Sequence, residues 1–184
     1  MDTFGLAGAG VHMLPHRVVG RRSADNLLAK ARKVWHDDRA RGVAYVQRAF
    51  RLPFDEVEQV PPVVLAAHNM LFCAVVDVLE DSDDADHRWL DAALAVLETA
   101  TPLGQGVLRG VFKDVEHDRD LYGVAHADRR RLRAAVASGP VGPAPWDADC
   151  QADVDYVVTI IDLCQAYEQA LNRLGEAPSP SLMT

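Results

Sequence analysis

Lysine, cysteine and long apolar runs are all scarce in this sequence of 184 residues. The three cysteines, Cys73, Cys150 and Cys164, are odd in number and lack the close pairing of a zinc or iron–sulfur site. That excludes a disulfide scaffold as the basis of the fold. Cys73 and Cys164 sit in apolar helical patterns and read as small core hydrophobes, a usage that fits a reducing, cytoplasmic setting. The longest apolar stretches fall short of the ~20 residues that span a bilayer, so no membrane association is expected. Asp2 and spaced glycines replace the apolar segment a signal peptide would need. Gly8-Ala9-Gly10 has no βαβ unit around it and is not a phosphate loop. Serine and threonine are few, and no serine occupies a Gly-x-Ser-x-Gly elbow. Enzymatic activity therefore has no support in the sequence, and no cofactor is implied.

What is present is an ordinary globular balance, 49% hydrophobic and 25% charged. A chain this long buries roughly 70% of the surface it would expose unfolded, enough for a core without staples. Only Lys30, Lys33 and Lys113 are lysines among 19 basic residues. With heavy use of Ala, Val and Asp, this composition suggests a GC-rich bacterial genome. The net charge is −8, so a general affinity for nucleic acid is not expected. The charge is segmental. Arg17 to Arg51 carries ten basic and three acidic side chains, whereas Asp55 to Glu98 carries eleven acids and only Arg88. Segments of opposite sign attract within a fold or between protomers, and neutralisation inside one monomer is the first reading; taken with the helical hairpins described below, the partners expected are another protein or a second copy of the chain.

The apolar spacing predicts an all-α fold of about seven helices. Residues 1–22, with Gly5, Gly8, Gly10, Pro15 and Gly20 and no period, read as a flexible arm. Ser23 is a candidate N-cap for a helix with Leu27, Leu28, Ala31, Val34 and Trp35 on one face. His36-Asp37-Asp38 interrupts it. A second stripe follows through Ala40, Val43, Ala44, Gln47 and Phe50, stopping before Pro53. Pro61 and Pro62 open a third helix, and an acidic loop over Glu80–Asp86 leads to a fourth through Trp89, Leu90, Ala93, Val96 and Leu97. A further pair is expected from Val107, Leu108, Val111, Phe112 and Val115, then Leu132, Ala135 and Val136. Residues 138–149 form a Pro/Gly loop, and a long helix runs from about Gln151 to Leu174, stopped by Gly175. The β-branched run Val157–Ile161 lies inside a 3.6-residue pattern too long for a strand. Residues 23–175 read as a single domain and 176–184 as a tail.

The first two hairpins align with each other. Shifted by 44, Leu27, Leu28, Ala31, Val34 and Trp35 fall on Leu71, Phe72, Val75, Val78 and Leu79. Shifted by 49, Arg39, Val43, Ala44 and Pro53 fall on Arg88, Ala92, Ala93 and Pro102. Small residues on the second helices (Ala44, Ala49, Ala93, Ala100) with a proline after each resemble, loosely, tetratricopeptide-type repeats over residues 24–101. The first helices lack that family's Trp/Leu-Gly/Tyr signature, and the spacing exceeds its unit of about 34 residues. The resemblance implies antiparallel helical hairpins stacked as a short solenoid whose groove binds other polypeptides. A closed bundle with a long C-terminal helix would show the same pattern.

Several polar groups are candidates for function. Asp114, His117, Asp118 and His126 lie in the densest constellation, with Glu116, Asp120 and Asp128. Asp114 and His117 share a helix face at i, i+3, the spacing of a divalent metal site, though no Glu-x-x-His pair accompanies them. Asp84, His87 and Asp91 form a second helical line. Asp81, Asp83 and Asp84 lack the glycine and terminal glutamate of an EF-hand and read as a solvated loop able to dock a basic partner. His68 interrupts an apolar helix with Asp77 on roughly the same side, as a core or groove histidine. Arg129, Arg130, Arg131 and Arg133 form a basic run behind Asp128, a candidate N-cap, and can contact an anionic partner. These residues suit a protein-interaction or regulatory module. The alternative is a helical bundle that binds a divalent metal or small molecule, with an enzyme among the forms it can take.

Overall fold

The computed structural model describes residues 13–54, 60–142 and 150–176, with side chains from 21 to 54, 60 to 142 and 152 to 175. It is all-α. Among the described residues there are seven helices and no strand: α1 (Met13–Val34), α2 (Arg39–Phe50), α3 (Pro62–Glu80), α4 (Arg88–Thr99), α5 (Pro102–His117), α6 (His126–Ala137) and α7 (Cys150–Glu176). Residues 1–12 of the expected arm, 143–149 of the Pro/Gly loop and 177–184 of the expected tail lie outside the described residues. Backbone contacts divide the chain into two compact units, Met1–Ala67 with Trp146–Val158 and His68–Pro145 with Thr159–Thr184.

In the first unit, α1 and α2 pack as a hairpin. The first helix begins at Met13, so residues 13–22 of the expected arm are helical and Ser23 lies inside α1 rather than capping it. Pro15 falls in the first turn, where its missing amide costs no hydrogen bond. Leu27, Leu28, Ala31 and Trp35 are buried as the period required. The break at Asp38 also holds: its carboxylate accepts the Arg41 amide at 2.9 Å and caps α2. The face of α2 is rotated from expectation. Gly42, Val46 and Ala49 are buried, while Ala40, Ala44 and Gln47 face solvent. Gly42 explains the rotation, because a Cβ there would lie 2.4 Å from Cε3 of Trp35. The indole occupies the space that any other side chain would fill.

The second unit is organised by α5, which packs on α6 and α4. Thr101 caps α5 by accepting the Gly104 amide at 3.2 Å, with Pro102 in the first turn. Val107, Leu108, Val111, Phe112 and Val115 are buried, as are Leu132 and Ala135 of α6. Each such Val or Leu contributes roughly 1.5–3 kcal/mol relative to exposure. The part of α7 in this unit buries Ile160, Ile161, Leu163, Cys164 and Tyr167. The Tyr167 hydroxyl donates to the Trp89 carbonyl at 3.2 Å, and burial pushes its pKa well above the ordinary value. Gly142 donates to the Gly106 carbonyl at 3.0 Å, and a Cβ on Gly106 would lie 2.8 Å from the Gly142 Cα. Two backbones therefore touch at a point where only glycine fits. The turn between α5 and α6 contains Gly123 at φ +68°, the left-handed region glycine enters without strain.

Two expectations about α3 need correction. Cys73 is exposed rather than a core residue, because Leu71, Val75, Val76 and Leu79 take the inward positions; Cys164 is buried as expected. The expectation that no segment approaches bilayer-spanning length also fails for α3. Among the described residues it alone is long and apolar enough by composition, and 44% of its most apolar window is buried within the fold. Its polar residues His68, Asn69 and Asp77 are too few to lower the average.

Candidate functional site

The head of α6 gathers Arg129, Arg130, Arg131 and Arg133 beside Asp128. The sequence explains which residues turn inward. Asp128, Leu132 and Ala135 are buried and lie i, i+4, i+7 along one face. Arg129, Arg130, Arg131 and Arg133 consequently fall on the other faces. Asp128 is not the cap expected of it, for α6 begins at His126 and its N-cap position is Ala125. It is the third helical residue and only 1% exposed.

Three groups meet the Asp128 carboxylate. The Trp89 indole donates to Oδ2 at 3.1 Å, and His87 Nδ1 lies 3.0 Å from the same oxygen. Arg131 lies 3.6 Å from Oδ1, which His87 also approaches at 3.0 Å without hydrogen-bonding geometry. A carboxylate this deep costs several kcal/mol of desolvation, which these donors and the positive end of α6 offset. Asp91 of α4 holds the far side of Arg131. His87 and Asp91, two of the three residues in one helical line, thus both act on α6. Asp84 remains exposed in the loop.

Outward of Asp128 lies a cleft of about 660 Å³ lined by Arg119, His126, Ala127, Arg129, Arg130, Arg131 and Arg133. Carboxylates hold most of these guanidinium groups. Arg129 pairs with Asp120 at 2.8 Å, and Glu116 serves both Arg119 at 3.3 Å and Arg133 at 2.9 Å. The hydrogen bond from Arg133 is the main cause holding the Glu116 carboxyl below its ordinary pKa. Arg130 is exposed and makes no ion pair or hydrogen bond among the described residues. The Nε of Arg119 is buried with no acceptor. Ala125 supplies no side-chain cap, and the first backbone bonds at this end are those of Asp128 and Arg129 to the Ala125 carbonyl. The amides of His126 and Ala127 therefore have no acceptor among the described residues.

The other candidate residues are dispersed. Asp114 pairs with His68 at 3.2 Å, so the partner of that histidine comes from α5. Beside that pair, Phe72 and Tyr122 meet edge to face with ring centroids 5.5 Å apart. His117 is exposed and 4.0 Å from Asp118, while His126 lines the arginine cleft. Among the described residues, no three His, Cys, Asp or Glu side chains converge as metal ligands. The exposed Cys73 thiol is pushed up by partial burial and then by Asp77 and Glu80, so it is held as the less reactive thiol. Asp81, Asp83 and Asp84 are exposed, and Asp83 folds back to accept the Ala85 amide at 3.0 Å.

Sequence reasoning missed the roles of Trp89, Arg119 and Asp91. The one available signal was the i−4 placement of Asp128 before Leu132, which put a carboxylate on an apolar face. Comparison of the chain with protein-family models, curated proteins and solved structures returns no match.

Proposed function

We propose that this chain is a docking module that engages a negatively charged segment of another polypeptide. The observation that supports this reading is the cleft at the head of α6, where five arginines line one concavity and one of them, Arg130, lacks a carboxylate partner. Intramolecular carboxylates hold the other four guanidinium groups as the walls of the cleft and leave Arg130 to meet an incoming anion with its planar fork. The loose resemblance to peptide-binding helical hairpins points the same way.

The test uses the full chain and fluorescein-labelled polyglutamate, followed by anisotropy. Binding should weaken steadily as salt is added and should be lost in Arg130→Glu. Light scattering in parallel reports self-association. Absence of binding at low salt, together with a strict monomer, would refute the reading.

A further inference from the structure

We infer that the cleft at the head of α6 selects a phosphoryl group carried by the partner polypeptide, rather than a simple carboxylate. This deepens the docking reading and rests on it. The argument begins with the donors that have no acceptor. The Arg130 guanidinium and the amides of His126 and Ala127 belong to residues lining one cleft, and none of them has an acceptor among the described residues. No side chain among the lining residues is an acceptor-only group; each is basic, imidazole or alanine.

Charge decides which anion gains from this arrangement. Glu116, Asp120, Asp91 and Asp128 already serve four of the five arginines. A carboxylate from outside offers one charge and meets competitors of equal charge that are already in place. A phosphate monoester carries about −1.5 to −2 charge at neutral pH and three acceptor oxygens. It can accept the planar Arg130 fork and backbone amides together, as anions do at helix N-termini. Arg129, Arg130 and Arg131 lie in the first two turns of α6, where positive charge opposes its macrodipole, and a dianion at the helix start relieves that conflict. Asp128 sits at the same helix end as an opposing negative charge. It is turned inward and engaged by Trp89, His87 and Arg131, so it does not line the cleft.

Isotope-labelled full-length protein is titrated at constant ionic strength with inorganic phosphate, acetate, a capped Gly-phosphoserine-Gly peptide and the same peptide unphosphorylated. The readout is the amide shifts of His126 and Ala127 and the guanidinium signal of Arg130. The phosphoserine peptide should bind at least about tenfold more tightly than its unphosphorylated form or acetate, the scale of one added charge-assisted hydrogen bond, because its third oxygen and second charge can meet the backbone amides while Arg130 holds the other two oxygens. Arg130→Ala should remove most of that preference, while Lys30→Ala in the other unit leaves it intact. Equal response to acetate would overturn the phosphoryl inference but leave docking of acidic segments standing if polyglutamate still binds. Response to inorganic phosphate without response to the phosphopeptide would overturn the polypeptide source. No response to any probe, with polyglutamate binding retained, would overturn the inference alone. Loss of both would overturn the docking reading as well.

Discussion

Replacing Asp128 by alanine tests the central contact of the second unit. The carboxylate is buried and accepts the Trp89 indole N–H at 3.1 Å. Its removal strands that donor at a cost of about 1–3 kcal/mol. It also removes the anion facing His87 and Arg131, whose side chains are 35% and 42% exposed. Breaking a fully buried pair costs about 3–5 kcal/mol, but water can reach both of these partners, so only part of that applies. A total of about 3 kcal/mol follows. For a chain of this length that corresponds to a fall in Tm of about 6–12 °C. Asp128→Asn keeps an acceptor for the indole and loses the charge, so it should cost about 1–2 kcal/mol. Urea unfolding followed by tryptophan fluorescence measures both, and Trp89 lies beside the perturbation. If Asp128→Ala matches wild type within about 0.5 kcal/mol, the range of an ordinary surface substitution, the carboxylate does not pin α4 to α6 and the reasoning is wrong.

Other expectations follow from the packing. Trp35→Ala empties a buried site and should cost about 3–5 kcal/mol, read from denaturant midpoints. Gly42→Ala places a Cβ 2.4 Å from the same indole and should destabilise by about 1–3 kcal/mol in thermal melts; neutrality would mean the ring moves freely. Gly106→Ala presses on the Gly142 backbone, which cannot rotate away, and should raise hydrogen exchange at the Gly142 amide. The hydrogen bond from Arg88 holds the Asp86 carboxyl at about 2, below its ordinary 3.8. A lowered carboxylate stabilises the fold above its unfolded pKa and loses that contribution as pH falls through the folded value. The stability gap between wild type and Asp86→Asn should therefore be present near neutrality and close between about pH 4 and pH 2. A gap that widens on acidification would contradict the assignment.

Helical periodicity by itself determined much of this protein. It marked seven helices, the α5 face from Val107 to Val115, the inward Leu132 and Ala135, and the acidic break before α4, because residues spaced three and four apart must share a side of a helix. It also placed the arginines of α6 together. It did not reveal what each face meets. Asp128 read as a cap until the fold brought Trp89 and His87 to it from 39 and 41 residues away. His68 read as a core or groove histidine with no partner named, and packing supplied Asp114 from α5. The face of α2 turned because Trp35 needed the bare surface of Gly42, a fact about shape that no hydrophobic pattern records. A polar side chain's partner is a tertiary choice, made where the cost of burying its charge is met by donors that the chain holds far apart.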